Sequence, residues 1–258
     1  MRPKKKVAPK KRATRVRKVV VKKSIYSELA QVARVYHHTQ QCRIELLKVV
    51  GKGRTPVFAR EMIHVANVSE KDLYRRMHLA LKEEEFWQHW LRDFKGIGPA
   101  LGAALIGEID ISKAPHPSSL WAWWGVAPRN GRALPATQVS SYRKCRSDRI
   151  ANQFLQHGTE PYVTHYNNYK QRKETTMVPI CMACKGKGTF YGHECRNCGG
   201  SGGPAPWGMN GSHRDKAAKR YMLQRFLEDL WREWRQFEEL PVAKNYAATY
   251  QPYNHPET

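Results

Sequence analysis

Two copies of the pattern C-x-x-C-x-G-x-G constrain the local fold of this chain more than any other sequence feature. The first copy begins at Cys181 and the second at Cys195. Two thiolates separated by two residues can bind one metal ion from a tight turn, and two such turns supply the four sulfurs of a tetrahedral zinc site. The spacing therefore predicts zinc as a cofactor, held in a small β-hairpin by Cys181, Cys184, Cys195 and Cys198. A redox dithiol, an iron site and disulfides are the alternatives for the same residues.

The same stretch resembles half of the cysteine-rich region of DnaJ-type chaperones, which builds two zinc sites from four such repeats. This chain contains two repeats and no J-domain, so the resemblance implies one zinc site and no chaperone activity. His193 lies between the two pairs and is expected at a solvated hairpin tip, with a role as metal ligand as the alternative. Cations and aromatic residues lie beside the cysteines, so the hairpin is expected either to contact nucleic acid or to be a small insertion that zinc stabilises. Cys42 and Cys145 lack partners at metal spacing and are predicted to be free thiols.

A large excess of positive charge is the second constraint. The chain has 45 Lys and Arg residues against 22 Asp and Glu residues, for a formal net charge of +23. Residues 1–23 contain twelve of these cations and no acid, which predicts a disordered basic arm; a solubilising tail without a specific partner is the alternative. Such charge favours polyanions, of which nucleic acid is the commonest in a cell. In the arm, the expected phosphate contacts are Lys4, Lys5, Lys6, Lys10, Lys11 and Arg12.

Membrane and secreted classes are excluded by the sequence. It has no apolar run long enough to span a membrane as a helix. Its basic start is not followed by the apolar stretch and small-residue cleavage site of a secretory signal. We therefore expect a cytoplasmic protein without membrane contact, associated with the nucleoid or with a nucleoprotein complex.

The fold is predicted to be mainly α, with a helix-hairpin-helix and the zinc-bound β-hairpin insertion. Apolar residues recur at three- and four-residue steps along most of the chain, most clearly at 212–239 before Pro241. Thr55-Pro56 and Ser69 are predicted to begin two further helices, and residues 129–150 a loop or short strands. A helix-turn-helix is a weaker alternative for residues 62–75. The predicted organisation is a basic arm at 1–23, a helical region at 24–93, a hairpin domain at 94–179, the zinc insertion at 180–203, a helix that completes the domain at 204–240 and a tail at 241–258.

Residues 94–103 have the composition of a helix-hairpin-helix. Gly96 and Gly98 allow backbone angles that a side chain disfavours, and Pro99 suits the first turn of the second helix. The N–H groups at a helix start can hold an anion, and Lys95 adds charge beside them. Lys95, Gly96, Ile97 and Gly98 are accordingly predicted to contact nucleic acid. An ordinary tight connection between two packed helices is the alternative.

Residues 94–128 also resemble a known family. The matching pieces are Gly96-Ile97-Gly98-Pro99, Gly107-Glu108-Ile109, Leu120-Trp121-Ala122 and Gly125-Val126-Ala127-Pro128. They resemble the C-terminal domain of a transposase family of bacterial and archaeal insertion sequences, known as bridge-RNA-guided recombinases. Members pair an N-terminal RuvC-like nuclease domain with a serine-bearing C-terminal domain. The resemblance implies a nucleic-acid platform, with DNA favoured over RNA as the partner.

Two departures from that family limit what the resemblance implies. The nuclease half needs four acidic residues at strand ends and in a helix to bind divalent metal, whereas residues 1–93 contain no strand-like run. The family's nucleophilic serine follows the Gly-x-x-Pro exit in a Ser-Gly step, and here Ser140 and Ser141 are the nearest serines. Serines in a basic loop are more often phosphate contacts, so the catalytic residue is left unassigned. A truncated or domesticated relative fits best, with nuclease activity supplied by a protein partner.

The sequence therefore predicts a nucleic-acid-binding protein related to a transposase C-terminal domain. It is expected to be non-catalytic or to act as one part of a transposition or recombination complex. The further phosphate contacts predicted are Arg129, Arg132, Arg143 and Lys144. An active serine-dependent transposase and a structural protein of a nucleoprotein particle are the two alternative functions.

Overall fold

The computed structural model describes residues 10–50, 57–129, 132–133, 140–175, 177–178, 180–206 and 211–242. Within them the chain is mainly helical, as predicted, and its strands form two-residue antiparallel pairs. The helices are α1 (Lys10–Val50), α2 (Val57–Lys82), α3 (Glu85–His89), α4 (Pro99–Glu108), α5 (Pro117–Trp123), α6 (Ser141–His157), α7 (Tyr162–Thr175) and α8 (Gly211–Phe237), with short 3-10 turns at Leu91–Asp93 and Ile111–Lys113. The strands are β1 (Pro128–Arg129), β2 (Arg132–Ala133), β3 (Met177–Val178), β4 (Thr189–Phe190), β5 (His193–Glu194) and β6 (Ala205–Pro206).

The chain divides into two compact units. Unit 1 comprises Met1–Asp93 with Ile97–Asp110, and unit 2 comprises Phe94–Gly96 with Ile111–Thr258. Helix α4 belongs to unit 1 because it packs on α1 and α2. The predicted domain at 94–179 grouped α4 with the later helices instead, since chain order was the only guide to which helices pack together.

In unit 1, helices α1 and α2 run antiparallel. Arg43 donates hydrogen bonds of 2.6 and 3.2 Å to the carboxylate of Glu70. Tyr36, earlier in α1, lies against Tyr74, later in α2, with 6.4 Å between ring centroids. The order of these two contacts fixes the antiparallel direction and the register of the helical pair.

Helix α4 approaches its neighbours closely because it is rich in small residues. A Cβ at Gly102 would lie 2.1 Å from the ring of Trp87, and a Cβ at Gly107 would lie 2.4 Å from the backbone nitrogen of Ala30. The backbones of α1 and α4 therefore meet at Gly107. Beside that contact, Nε of Arg34 lies 2.5 Å from the buried carboxylate of Glu108.

Two predictions about unit 1 differ from the structure. Helix α1 begins at Lys10 and so includes most of the segment expected to be a disordered arm; Lys10, Lys11 and Arg12 lie in its first turn, and Lys4, Lys5 and Lys6 lie outside the described residues. Helix α2 continues through Ser69, which therefore caps no second helix, and the absence of a turn at 66–69 excludes the helix-turn-helix. The polar residues of that stretch lower helix propensity by only about 0.7 kcal/mol each at most, and packing on α1 outweighs that preference.

In unit 2, helix α8 supplies the central packing surface. Its predicted apolar stripe is confirmed: Leu223, Phe226, Leu227, Leu230, Trp231 and Trp234 are buried. Phe226 packs edge-to-face on Phe154 of α6 and on Tyr162 of α7, with ring centroids 5.1 and 5.5 Å away. These contacts place α6 and α7 on one face of α8.

Polar groups of α8 also fix the segment that follows α4. The indole nitrogen of Trp231 donates to the backbone oxygen of Ala114 at 2.7 Å. The buried guanidinium of Arg235 donates to the same oxygen at 2.9 Å and to that of Ile111 at 3.1 Å. Each bond joins a side chain of α8 to a main-chain oxygen more than 100 residues earlier. Helix α8 therefore holds the segment at 111–114 in place whatever side chains that segment carries.

In the region expected to be a loop or short strands at 129–150, the described residues form short strands and the first part of a helix. Strands β1 and β2 form an antiparallel pair, with Arg129 opposite Arg132. Helix α6 then begins at Ser141, earlier than predicted, because Ile150, Ala151 and Phe154 provide a buried face that the basic first turns obscure in the sequence. The tail predicted at 241–258 lies outside the described residues from residue 243 onward.

None of the helices in the described part of the chain combines the length and the apolar character that a membrane crossing requires.

Replacing Gly107 with alanine is expected to destabilise unit 1. The added Cβ meets the backbone of Ala30, and overpacking of this kind typically destabilises a protein by about 1–3 kcal/mol. This loss should exceed the gain of about 0.5–1 kcal/mol that alanine brings to a helix interior. Gly98→Ala is the matched control, because its Cβ would have only the Tyr74 hydroxyl nearby, at 3.7 Å. Denaturant unfolding that gives both variants the same free energy would contradict the close approach of α1 and α4.

Candidate metal centre and nucleic-acid interface

The four predicted cysteine ligands come together in one cluster. The Sγ atoms of Cys181, Cys184, Cys195 and Cys198 all lie within 4.8 Å of one another. Across the two repeats, Cys181 Sγ is 3.8 Å from Cys195 Sγ, and Cys184 Sγ is 3.7 Å from Cys198 Sγ. A tetrahedral ion with metal–sulfur bonds of about 2.3 Å separates its sulfurs by about 3.8 Å. The cluster therefore fits a tetrahedral metal ion, and Cys42 and Cys145 lie outside it.

The two repeats have the same backbone conformation at corresponding positions. Lys185 and Gly199, which directly follow the second cysteine of each repeat, both have φ of 55°. The next residues, Gly186 and Gly200, have φ of 82° and 77°. Each repeat thus turns through the left-handed region twice in succession, which glycine adopts without steric penalty. The shared glycines of the motif are explained by this geometry.

The last glycine of each repeat has two functions. Its backbone N–H donates to the second cysteine: Gly188 to Cys184 Sγ and Gly202 to Cys198 Sγ, both at 3.3 Å. A Cβ at Gly188 would lie 2.1 Å from the oxygen of Gly200, and a Cβ at Gly202 would lie 2.2 Å from that of Gly186. The two repeats therefore interlock through their main chains, and neither glycine can be replaced without separating them.

Hydrogen bonding distinguishes the cysteines electrostatically. The side-chain amide of Asn197 donates to Cys181 Sγ at 3.4 Å, and this bond, with backbone donors from the same turn, lowers the pKa of Cys181. Burial has the opposite effect on Cys195 and raises its pKa. A bound cation would favour the thiolate at both positions, because metal binding and thiol deprotonation are coupled.

His193 is not part of the cluster. It lies in β5 opposite Phe190, and the residues that can jointly hold a metal ion in the described part of the chain are the four cysteines. The prediction of a hairpin tip here agrees with the structure, in which β4 and β5 pair directly beyond the metal-binding turns.

The predicted glycine turn is partly as expected. Gly96, in unit 2, has φ of 92°, and a Cβ there would lie 3.0 Å from Cβ of Gln153, so both its conformation and its packing require glycine. Gly98, in unit 1, precedes α4 with φ of −84°, a value that any residue adopts. The expectation that Gly98 is needed for an unusual backbone angle is therefore wrong. Lys95 and Gly98 are exposed, whereas Ile97 is buried.

The first turns of α6 contain several basic residues. Its N-cap Ser140 and the following Ser141 are exposed, and the first turn contains no acid. The guanidinium carbon of Arg143 lies 3.5 Å from the ring centroid of Trp123, a cation–π contact on an indole that is 46% exposed. Lys144 is exposed. Trp121 and Trp124 are buried, as their spacing predicted.

Arg146 was missed by sequence reasoning. Its side chain is 1% exposed, and none of its three guanidinium nitrogens has a hydrogen-bond partner within the described ranges. The guanidinium carbon lies 5.2 Å from the ring of Tyr142 in the first turn of α6. Burial lowers the pKa of Arg146, because removing a charge from water is unfavourable. In the sequence Arg146 resembles the other cations of α6, and only the structure shows that it is buried.

The remaining predicted contacts lie on different elements. Arg129 is in β1 and Arg132 is in β2, and Lys95 lies two residues after the turn at Leu91–Asp93. Its backbone oxygen accepts a 2.7 Å hydrogen bond from the hydroxyl of Thr159. The structure thus fixes the main chain at Lys95 while leaving its side chain exposed.

Replacing Cys184 with serine is expected to abolish metal binding, since a hydroxyl is a much poorer ligand than a thiolate for a soft site. The full-length protein should bind one metal ion per chain, and the variant none. Cys42→Ser is the matched control and should bind the same amount as the wild type, because Cys42 lies outside the cluster. Metal content after gel filtration checks this. Equal metal content in the Cys184 and Cys42 variants would exclude the site.

Comparison with known proteins gives a match over part of the chain. No curated protein and no solved structure matches the chain. Residues 88–173 match the domain of the Transposase IS116/IS110/IS902 family. The match covers about a third of the chain and runs from the end of α3 into α7, so the cysteine cluster and α8 lie outside it.

Proposed function

We propose that this chain is a nucleic-acid-binding protein related to the C-terminal domain of a bridge-RNA-guided transposase. DNA is its principal partner, and it acts as one part of a transposition or recombination complex. The observation that carries the proposal is the transposase-family match at 88–173. This region contains the glycine turn and the basic start of α6.

The charge of the chain supports this proposal. A formal net charge of +23 favours association with a polyanion through release of its condensed counterions. Contacts of this kind position a protein on nucleic acid without reading its sequence. In this proposal Lys95, Arg143 and Lys144 bind phosphates, as do Arg129, Arg132 and the cations of residues 1–23.

The beginning of α6 is the strongest candidate for a defined phosphate site. Helix N-termini attract anions through their N–H groups and dipole, and the first turn here has no acid of its own. Arg146 adds an independent argument, because its buried guanidinium has no hydrogen-bond partner in the described part of the chain. In this proposal, a phosphate bound near the exposed Ser140 and Ser141 pairs with Arg146, for which the described residues supply no hydrogen-bond partner.

We further propose that the metal is zinc. Four cysteine thiolates in tetrahedral arrangement are the ligand set of structural zinc sites, and the sulfur separations of 3.7 and 3.8 Å fit that geometry. When bound, zinc supplies no redox chemistry and adds stability to a segment with few apolar contacts. Its function here is to order the segment from Cys181 to Gly202.

Catalysis by this chain alone is the second candidate. Ser140 and Ser141 are exposed at the N-terminus of α6, where the helix dipole favours a developing negative charge. The same exposure suits a phosphate contact, which we favour, with the nuclease activity supplied by a protein partner. A covalent protein–DNA adduct that Ser140→Ala or Ser141→Ala abolishes would establish the catalytic alternative.

The dependence of binding on salt tests the proposed function. The logarithm of the association constant for duplex DNA should fall linearly with the logarithm of salt concentration, by about 0.9 for each phosphate neutralised. Fluorescence anisotropy from low to moderate salt measures this slope. Binding that does not change over that range would contradict phosphate contacts as the source of affinity.

Arg146→Met tests the phosphate site at α6. Methionine removes the buried charge while keeping a long apolar side chain, so the free energy of unfolding should stay the same or increase. Binding of DNA should weaken by about 1.5–3 kcal/mol, the range of hydrogen bonds to charged groups. Lys71→Met, which removes one exposed cation from α2, is the control for net charge. A matching loss of affinity in both variants would show that Arg146 acts through overall charge alone.

A further inference from the structure

The tip of the β4–β5 hairpin exposes two aromatic side chains. Tyr191 is 88% exposed and Phe190 is 52% exposed. Their rings pack edge-to-face, with centroids 4.6 Å apart. Large aromatic side chains are usually at least partly buried, so this pair presents an aromatic surface to solvent that the fold of the hairpin does not use.

The backbone conformation at the tip is unfavourable for a tyrosine. Tyr191 and Gly192 have φ values of 52° and 79°. Two consecutive positive values match the type I′ turn of a two-residue hairpin, in which Asn-Gly is preferred. A bulky residue with positive φ is a genuine outlier, and Tyr191 gains no burial in return. Unfavourable conformations of this kind concentrate at functional positions.

The hairpin is held rigidly by the metal-binding turns. Directly below β4 and β5, the backbone N–H of Cys195 donates to the oxygen of Gly188 at 2.8 Å. Strand β4 directly follows Gly188, the last residue of the first repeat, and β5 directly precedes Cys195 of the cluster. Because a preorganised contact loses less conformational entropy on binding, the two rings are well suited to recognition of a partner.

The charge at the base of the hairpin favours an anionic partner. Lys185, Lys187 and Arg196 are exposed. Lys187 lies two residues before β4, and Arg196 lies two residues after β5. Glu194 is the single acid in residues 180–206, and its carboxylate is turned toward Gly200, with Oε1 2.9 Å from where a Cβ would stand. The hairpin surface is thus aromatic at its tip and positive at its base.

We propose that the tip stacks against unpaired bases of a nucleic acid, with Lys187 and Arg196 binding the adjacent phosphates. Aromatic platforms beside cations are the means by which proteins bind single strands, because every base has a face on which to stack. A fully paired duplex keeps its bases inside the stack and cannot occupy the tip in this way. This inference rests on the proposed function and adds to it a preference for unpaired segments.

Tyr191→Asn separates recognition from stability. Asparagine suits the type I′ turn better than tyrosine, so metal content and melting temperature of the full-length zinc-loaded protein should stay the same or rise. Affinity for a single-stranded oligonucleotide should fall by about fivefold to a hundredfold, as expected for the loss of one stacked base. Affinity for an abasic strand of the same length should not change, because it offers only phosphates.

Matched variants and ligands complete the experiment. Tyr191→Phe keeps the ring and should bind like the wild type, and so should Met182→Ala, which removes an apolar side chain that is exposed elsewhere in the module. DNA and RNA strands are measured in parallel, and a loss on either supports the inference and identifies the preferred strand. If the wild type binds nucleic acid but Tyr191→Asn binds the base-bearing strands equally well, the inference is wrong and the proposed function stands. If the wild type binds no nucleic acid at all, the proposed function itself fails.

Discussion

The packing of α8 is the interaction on which the rest of unit 2 depends. Phe226 meets α6 and α7, and Trp231 and Arg235 bind the main chain near residues 111–114. Segments that are far apart in the sequence are thereby held on one helix. The candidate phosphate site at α6 and the entry to the cysteine module both belong to the body that α8 organises.

The large positive net charge also limits how stable the folded chain can be. The chain has 45 cations against 22 acids, and the surplus cations repel one another in the folded state unless counter-ions or a polyanion are present. Most of the cations can remain solvated, but Arg146 cannot, since its side chain is buried without a hydrogen-bond partner within the described residues. Under the proposed function, stability and partner binding are therefore opposed at this position.

The sequence predicted the features that depend on local pattern. The spacing of the cysteines identified all four members of the cluster, and the apolar period identified α8 almost to its ends. Patterns that depend on tertiary packing were missed or misread. Ser69 has the character of an N-cap, but packing on α1 keeps α2 continuous. Gly107 is explained only by the nearby backbone of Ala30, which lies 77 positions earlier in the chain.

The two ends of the cysteine module, the segment from Cys181 to Gly202 with its flanking strands β3 and β6, meet. Strand β3 pairs with β6, so the chain leaves α7 and returns toward α8 at neighbouring positions, and the N–H of Cys181 binds the oxygen of Gly202 at 3.1 Å. A segment whose ends adjoin can be gained, lost or exchanged in evolution without moving the helices that flank it. The helical scaffold and the metal-bound hairpin can therefore have separate histories, and a relative in which a short turn joins these helices directly would share the scaffold alone.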